Sequence, residues 1–409
     1  MNRSAPQNSS SFDTGPPAEL AGARLTIDLG ALVANWRLLR QQAGGAACAA
    51  VVKADAYGIG LEPAVGALTR AGCETFFVAH VAEGARARRA SPEAVIYVLN
   101  GLPPDTASTY ADHDLRPVLG SREEIPEWAA FCRASGSPRA AAIHVDTGMN
   151  RLGVRVSEAL SLATDALLSD FTPALLMTHF VSAEEPENPL NAEQIRAFEA
   201  VRAALPALPS SAANSSGIFL PANPHYDVVR PGYALYGGNP TPGRRNPMQG
   251  VVRLEGCIVQ VRTAEDGETA GYNGQWTARG RRRLATVSVG YADGYPRAAS
   301  ATDAKHADGL PTGEAIVGGH RCPFAGRVSM DLITIDVTDT PQGAAERGTP
   351  VVLIGDDLAI DEVARRAGTI GYEILTGLGR RYARAYVDAG DPGAIAAPSA
   401  SASTFAGPE

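Results

Sequence analysis

The chain has 409 residues, 45 % of them hydrophobic and 20 % charged, with a formal net charge of −8. That length suits two or three domains, and an acidic balance without a basic stripe argues against nucleic acid as a partner, since phosphate binding rests on clustered cations. Five scattered cysteines without a C-x-x-C pair argue against a disulfide framework or a zinc site and fit a reducing, cytoplasmic compartment; no apolar run approaches the roughly 18 residues of a membrane span.

In chain order, residues 1–22 are rich in Ser, Pro and Asn, read as a disordered tail, and lack the apolar stretch of a secretory signal. A strand, LTIDL, and a helix, ALVANWRLLRQQA, follow; the strand is free to pair elsewhere than with what comes next. Short apolar runs then alternate with helical patterns, and the runs end at Lys53, His80, Asn100, Leu119, Asp146, His179, Asn214 and Arg230. Between them Leu162, Leu167 and Leu168 keep a helical spacing, as do Ile195, Phe198 and Val201 behind Asn191 as a cap. Eight strand–helix units predict an α/β fold, a (β/α)8 TIM-type barrel over residues 23–249, whose chemistry sits at the C-terminal strand ends. Seven of those ends, all but Leu119, are polar, as a purely structural barrel layer would not require.

Past the loop NPTPGRRNPMQG the pattern turns to β alternation, which predicts a mostly β C-terminal domain over 250–391 with one helix, DEVARRAG, capped by Asp361. Arg281, Arg282 and Arg283 read as a solvated turn, and 392–409 as a second disordered tail.

Lys53 is the most informative residue. It closes the run AAVV, where an ammonium is costly to bury unless it is paired or loses its charge, and forming an imine is one way to lose it. The plainer alternative is a lysine that reaches out to solvent from the strand end.

Its company decides. VVKADAYGIG (51–60), HVDTGMNRLG (144–153), MTHF (177–180), VGYADG (289–294) and GRVSMD (326–331), with NSS at 214–216, RPGYALYG at 230–237 and TIGYEILT at 369–376, resemble alanine racemases of the pyridoxal 5'-phosphate (PLP), fold-type III class from about Arg24 to Val387. The resemblance implies that Lys53 holds PLP as an imine and, once freed by the substrate, acts as base on one face of Cα. Tyr291 is the base on the other face, with His179 against its phenol and Arg230 against His179. Arg230 faces the pyridine nitrogen, where an always-charged guanidinium can only donate and disfavours transamination. Tyr57, Asn214, Ser215, Gly232, Tyr233 and Tyr372 bind the cofactor, mainly at its phosphate. Arg151 contacts its phenolic oxygen and the substrate carboxylate, Met330 offers its backbone N–H to that carboxylate, and Asp331 shapes the site.

In the family Tyr291 and Met330 come from a second subunit, which implies a homodimer with composite sites acting on alanine, for peptidoglycan synthesis or alanine catabolism. One position departs. Many members carry a carbamylated lysine where this chain has His144, which leaves the support of Arg151 to a small anion such as chloride or to a direct histidine contact. Three other readings compete: a broader-specificity amino-acid racemase, a decarboxylase of the same fold type, and a PLP carrier without turnover. The tyrosine in VGYADG argues against the last two.

Overall fold

The apolar runs of the first half form strands buried on both faces, as parallel strands covered by helices are. In the structure, a computed structural model describing residues 15–205 and 208–388, the strands Ala50–Val51, Thr75–Val78, Val95–Val98, Arg116–Leu119, Ala140–Asp146, Thr172–Met177 and Ser210–Ser211 pair side by side in parallel. The eighth, Val228–Val229, pairs with Ala47–Cys48 and closes the barrel. Across the other side of that strand, the Asp227 and Arg230 N–H groups donate to the Ser210 and Ala213 carbonyls at 3.0 and 2.9 Å. Ala47–Cys48 and Ala50–Val51 act as one bent strand, so the expected (β/α)8 architecture is present.

The strand Ala23–Asp28 does not belong to that barrel. Its residues alternate buried and exposed, the mark of a strand with one wet face. It lies in the second unit's sheet, antiparallel to Val252–Ala264 and parallel to Ala383–Val387. Glu314–Val317, His320–Pro323 and Pro350–Ile354 extend this sheet, and Arg282–Val287 and Ile333–Asp336 complete it. Helix Leu29–Gln42 then bridges the two units. Asp28 caps it through the Ala31 N–H at 2.8 Å. It buries Leu32, Trp36 and Leu39, and its Asn35 grips the interdomain linker through Leu235 O and Gln249.

Several local expectations change. Gly15 and Gly22 lie against the second unit: a side chain on Gly15 would strike the Tyr382 carbonyl, and one on Gly22 would strike Ser288. The tails 1–14 and 392–409 lie outside the described residues. Helix Pro189–Ala204 is capped by Asn188, not Asn191, whose amide instead donates to the Ser182 and Glu185 carbonyls. The leucines near 165 fall on two short pieces, Val156–Leu162 and the 3-10 turn Ala166–Ser169. Asp361 sits inside its helix, behind Ala359 as the cap. Arg282 and Arg283 open a strand.

Candidate active site

At the end of the first barrel strand the backbone does something no periodicity announces. Ala54, Asp55 and Ala56 have φ/ψ of 53/50°, 55/45° and 54/54°, Tyr57 has φ 54°, and Gly58 follows at φ 84°. This is a left-handed helical turn, closed by Gly58 N–H to Ala54 O at 2.8 Å. A left-handed conformation costs an L-residue roughly 1–2 kcal/mol, and such strain persists only where the surroundings over-determine it. Gly58 is required there, because a Cβ would lie 2.3 Å from the Leu375 carbonyl oxygen. The turn carries Lys53 at its start and Tyr57 at its end.

Lys53 is largely buried, and burial, followed by the nearby Arg151 charge, pulls its amine below the ordinary lysine range while Glu83 opposes them. A depressed pKa is what an imine-forming or proton-abstracting lysine needs. His179, at the end of Thr172–Met177, is held well below the usual histidine range, down to about 3, by burial first and then by Arg230, Arg151, His144 and Lys53. These five groups therefore share the mouth of the barrel. His144 is buried on Ala140–Asp146 and pushed down to about 4, by burial first and then by Arg230, so both imidazoles are neutral near pH 7.

Arg230 is buried, donating to Ser211 Oγ and to the Thr178 carbonyl, the latter at 2.6 Å, with its guanidinium over the Phe77 ring. Among the described residues no hydrogen bond joins it to His179; the two are coupled through space. Arg151 lies on an exposed loop, which Asp146 holds by accepting N–H bonds from Gly148, Met149 and Asn150 at 2.9, 2.8 and 3.1 Å. Exposed as it is, Arg151 carries no buried-charge cost that an anion would have to offset in this chain.

Beside the last two strands sits a cradle of neutral donors. The Gly232 and Ala234 N–H groups both point at Ser215 Oγ, at 3.0 and 3.1 Å. A Cβ on Gly232 would approach Tyr57 Oη to 2.4 Å, so the tyrosine hydroxyl and this backbone meet. Tyr57 stacks on Tyr236 at 4.5 Å between ring centres and leans toward Tyr372 at 6.1 Å. Backbone N–H groups and hydroxyls converging without a carboxylate among them fit a phosphate, and TIM barrels often hold one here. Asn214 supports the cradle from behind, its Oδ1 accepting from Gly217 N–H at 2.8 Å. The Tyr233 phenol turns away to Asp361 at 2.6 Å and stacks on Tyr372 at 4.1 Å, so only its backbone is free for an anion. Burial, followed by the nearby Glu184 charge, pushes the Tyr372 phenol up from its ordinary range.

The remaining expected residues lie on the second unit. Tyr291 begins a 3-10 turn and is 40 % exposed, and Met330 is 52 % exposed. Their two turns are joined by Tyr291 N–H to Ser329 O at 3.0 Å and Ala292 N–H to Met330 O at 2.9 Å. Asp331 pairs with Arg381 at 2.9 Å, and Arg381 also reaches Asp293 at 3.1 Å, which fixes the two turns together. Among the described residues no hydrogen bond, ion pair or ring contact connects Tyr291, Met330 or Asp331 to Lys53, His179 or Arg230. Sequence reasoning missed Glu83 and Arg381 altogether. Glu83 reaches the left-handed turn through the Ala54 N–H, and Arg381 reaches Asp293 and Asp331, contacts distant in sequence, and neither residue sits in a motif with a catalytic signature.

Fold and site together define a barrel enzyme that presents an amine at one strand end, a buried guanidinium at another and an anion cradle between them. Residues 27–240 match the family description "Alanine racemase, N-terminal domain" and residues 251–386 "Alanine racemase, C-terminal domain". The chain is 61 % identical over 367 residues to an alanine racemase of Methylobacterium sp. (strain 4-46), covering 90 % of this chain and 98 % of that one. It is 60 % identical over 367 residues to one of Methylobacterium nodulans, covering 90 % and 96 %. A crystal structure of alanine racemase from Bartonella henselae with covalently bound pyridoxal phosphate superposes with a TM-score of 0.84 at 37 % identity, covering 90 % of this chain and all of that one. The chain belongs to the alanine racemase family.

Proposed function

We propose that this protein interconverts L-alanine and D-alanine, with PLP held on Lys53 and with Lys53 and Tyr291 as bases on opposite faces of Cα. The observation that carries the reading is Lys53 itself: a largely buried amine of lowered pKa at a barrel strand end, beside an anion cradle. When bound, PLP supplies an aldehyde that forms an imine with amines and a conjugated ring that accepts the electron pair left at Cα. Tyr57, Ser215 and the backbone N–H groups of Gly232 and Tyr233 would hold its phosphate, with Asn214 and Tyr372 beside them. Arg230 would face the ring nitrogen and, as a permanent cation, can only donate to it. Arg151, on its loop, would meet the substrate carboxylate, together with the Met330 N–H.

Lys53 Nζ takes or returns the Cα proton on one face. Tyr291 Oη does so on the other. A phenol has a reference pKa near 10, so it needs a partner that stabilises the oxyanion. His179, neutral and fixed at the barrel mouth, serves as that hydrogen-bond partner. In one chain Tyr291 and Met330 are exposed on preformed turns, and among the described residues no hydrogen bond, ion pair or ring contact joins them to Lys53. We therefore place them in the site of a second copy, giving a homodimer with two composite sites. The product would serve peptidoglycan synthesis, or the reverse reaction alanine catabolism. A cytoplasmic setting is supported by five unpaired thiols, and among the described residues no helix is long and apolar enough to cross a membrane.

The test is borohydride reduction of the PLP-loaded protein followed by peptide mapping, alongside incubation with a panel of L-amino acids and chiral product analysis. Label on the Lys53 peptide and D-alanine as the dominant product are expected. Label on another lysine would remove the assignment, and equal turnover of larger amino acids would favour the broader-specificity racemase.

A further inference from the structure

Helix Val81–Ala90 follows the second barrel strand and presents two charged residues three apart, hence on one face, to the left-handed turn. Glu83 Oε1 accepts the Ala54 N–H at 2.7 Å, and its Oε2 accepts the N–H groups of Ala79 and His80 at 2.8 and 3.2 Å. Arg86 donates to Asp55 Oδ1 at 2.6 Å and is itself fixed by both oxygens of Glu62, at 2.7 and 2.6 Å. The first two left-handed residues are thus each gripped by this helix, one through its backbone N–H and one through its carboxylate. Asp55 also accepts the Leu61 N–H at 3.2 Å, which ties the turn's exit.

From this juxtaposition we propose that Glu83 is a positioning residue for Lys53 and Tyr57: it holds the strained turn 54–57 in its left-handed form, and so sets where the amine and the phosphate-binding phenol stand. The proposal rests on the reading of Lys53 as the cofactor lysine. A charged acceptor on the Ala54 N–H suits the purpose, because bonds to an ionised partner are shorter and stronger than neutral ones. With that N–H released, Ala54 is free to leave φ 53° for the right-handed region its Cβ prefers. Lys53, the next residue back, and Tyr57, three residues on, would then lose their relative placement. Glu83 also bonds the N–H groups at the start of its own helix, so a purely capping role is the alternative to be separated.

The experiment uses full-length protein stripped of cofactor and reloaded with PLP. The variants are Glu83→Ala, Ala54→Gly and the double change. Far-ultraviolet circular dichroism and thermal melting report folding. Absorbance on titration reports PLP affinity and the rate of capture, and borohydride fixes what is bound. Glu83→Ala is expected to fold, to bind PLP at least tenfold more weakly and to capture it more slowly. Adding Ala54→Gly should restore most of that loss, because glycine adopts positive φ without steric cost. A helix cap lost at Glu83 could not be recovered by glycine at 54. PLP capture by Glu83→Ala at the wild-type rate and affinity, or a loss that Ala54→Gly leaves untouched, overturns the proposal. If Glu83→Ala does not fold, Glu83→Gln, which keeps one acceptor oxygen and loses the other, carries the same comparison with and without Ala54→Gly. Label on the wild-type Lys53 peptide separates failure of this inference from failure of the function reading.

Discussion

At the residue scale, His144 stands where the family resemblance implies a carbamylated lysine, and its chemistry is different in kind. It is buried, pushed down to about 4, and has Arg230 and Arg151 among the charges acting on it. A neutral imidazole brings no negative charge to Arg151. Since Arg151 lies exposed on its loop, no buried-charge cost in this chain demands an anion there. The shift has a consequence for stability. Between the unfolded histidine pKa of about 6.5 and the folded value of about 4, the unfolded chain binds a proton that the folded one refuses. Stability is therefore lost as pH falls through that window and unaffected above it. His179, depressed further, acts in the same direction. In urea unfolding of the cofactor-free protein, His144→Asn should lose on the order of 2–3 kcal/mol less than wild type between pH 7 and 4.5. Equal losses in the two proteins would mean that His144 titrates normally when folded.

At the element scale, the segment from Arg230 to Tyr236 combines a strand end, a glycine and a 3-10 turn into an anion cradle. Gly232 has φ −124° and ψ −83°, so left-handed strain is not the reason for a glycine. The reason is space, since a Cβ would fall 2.4 Å from Tyr57 Oη and 3.4 Å from Val51 Cβ. Tyr57 has little room to yield, being stacked on Tyr236. Gly232→Ala should thus displace the phenol and weaken PLP binding by about tenfold or more, equivalent to about 1.4 kcal/mol. Spectrophotometric titration of cofactor-free protein would show this, and wild-type affinity would mean that Tyr57 swings aside freely. Asp361 secures the same segment from the second unit, through the Tyr233 hydroxyl at 2.6 Å and the Asn239 N–H at 3.0 Å. The cradle is accordingly held by both halves of the chain.

At the scale of the whole molecule, the two proposed bases, Lys53 and Tyr291, sit on separate units of one chain. The turns of Tyr291 and Met330 are locked to each other by backbone bonds and by Arg381, yet their side chains face outward. A rigid, exposed pair of turns is what a residue contributed to another copy requires. Mixing inactive Lys53→Ala and Tyr291→Phe subunits should restore activity to about a quarter of the wild-type value, because random pairing gives half heterodimers, each with one complete site. No recovery once heterodimers are demonstrated by mass would place both bases in one chain.

Much of this was legible along the chain, and the physical reason is local. Strands buried on both faces read as unbroken apolar runs, so a polar residue at the end of one stands out; Lys53, Asp146, His179 and Arg230 announce the barrel mouth in this way. The β texture of the second half is equally local, as period-two alternation. What tertiary structure alone decided depends on contacts distant in sequence. Ala23–Asp28 carries the alternation of a half-buried strand, but only strands more than two hundred residues away reveal which sheet it completes. The left-handed turn runs through Ala54, Asp55, Ala56 and Tyr57, none of which favours positive φ by itself. Its conformation exists because Glu83, Arg86 and the packing around Gly58 impose it. By itself, then, the amino-acid sequence determined which groups could carry the chemistry, since side-chain type and strand period are properties of a few neighbouring residues. Only the folded chain decided how those groups are held, because strain and its restraints are shared among residues that meet in space.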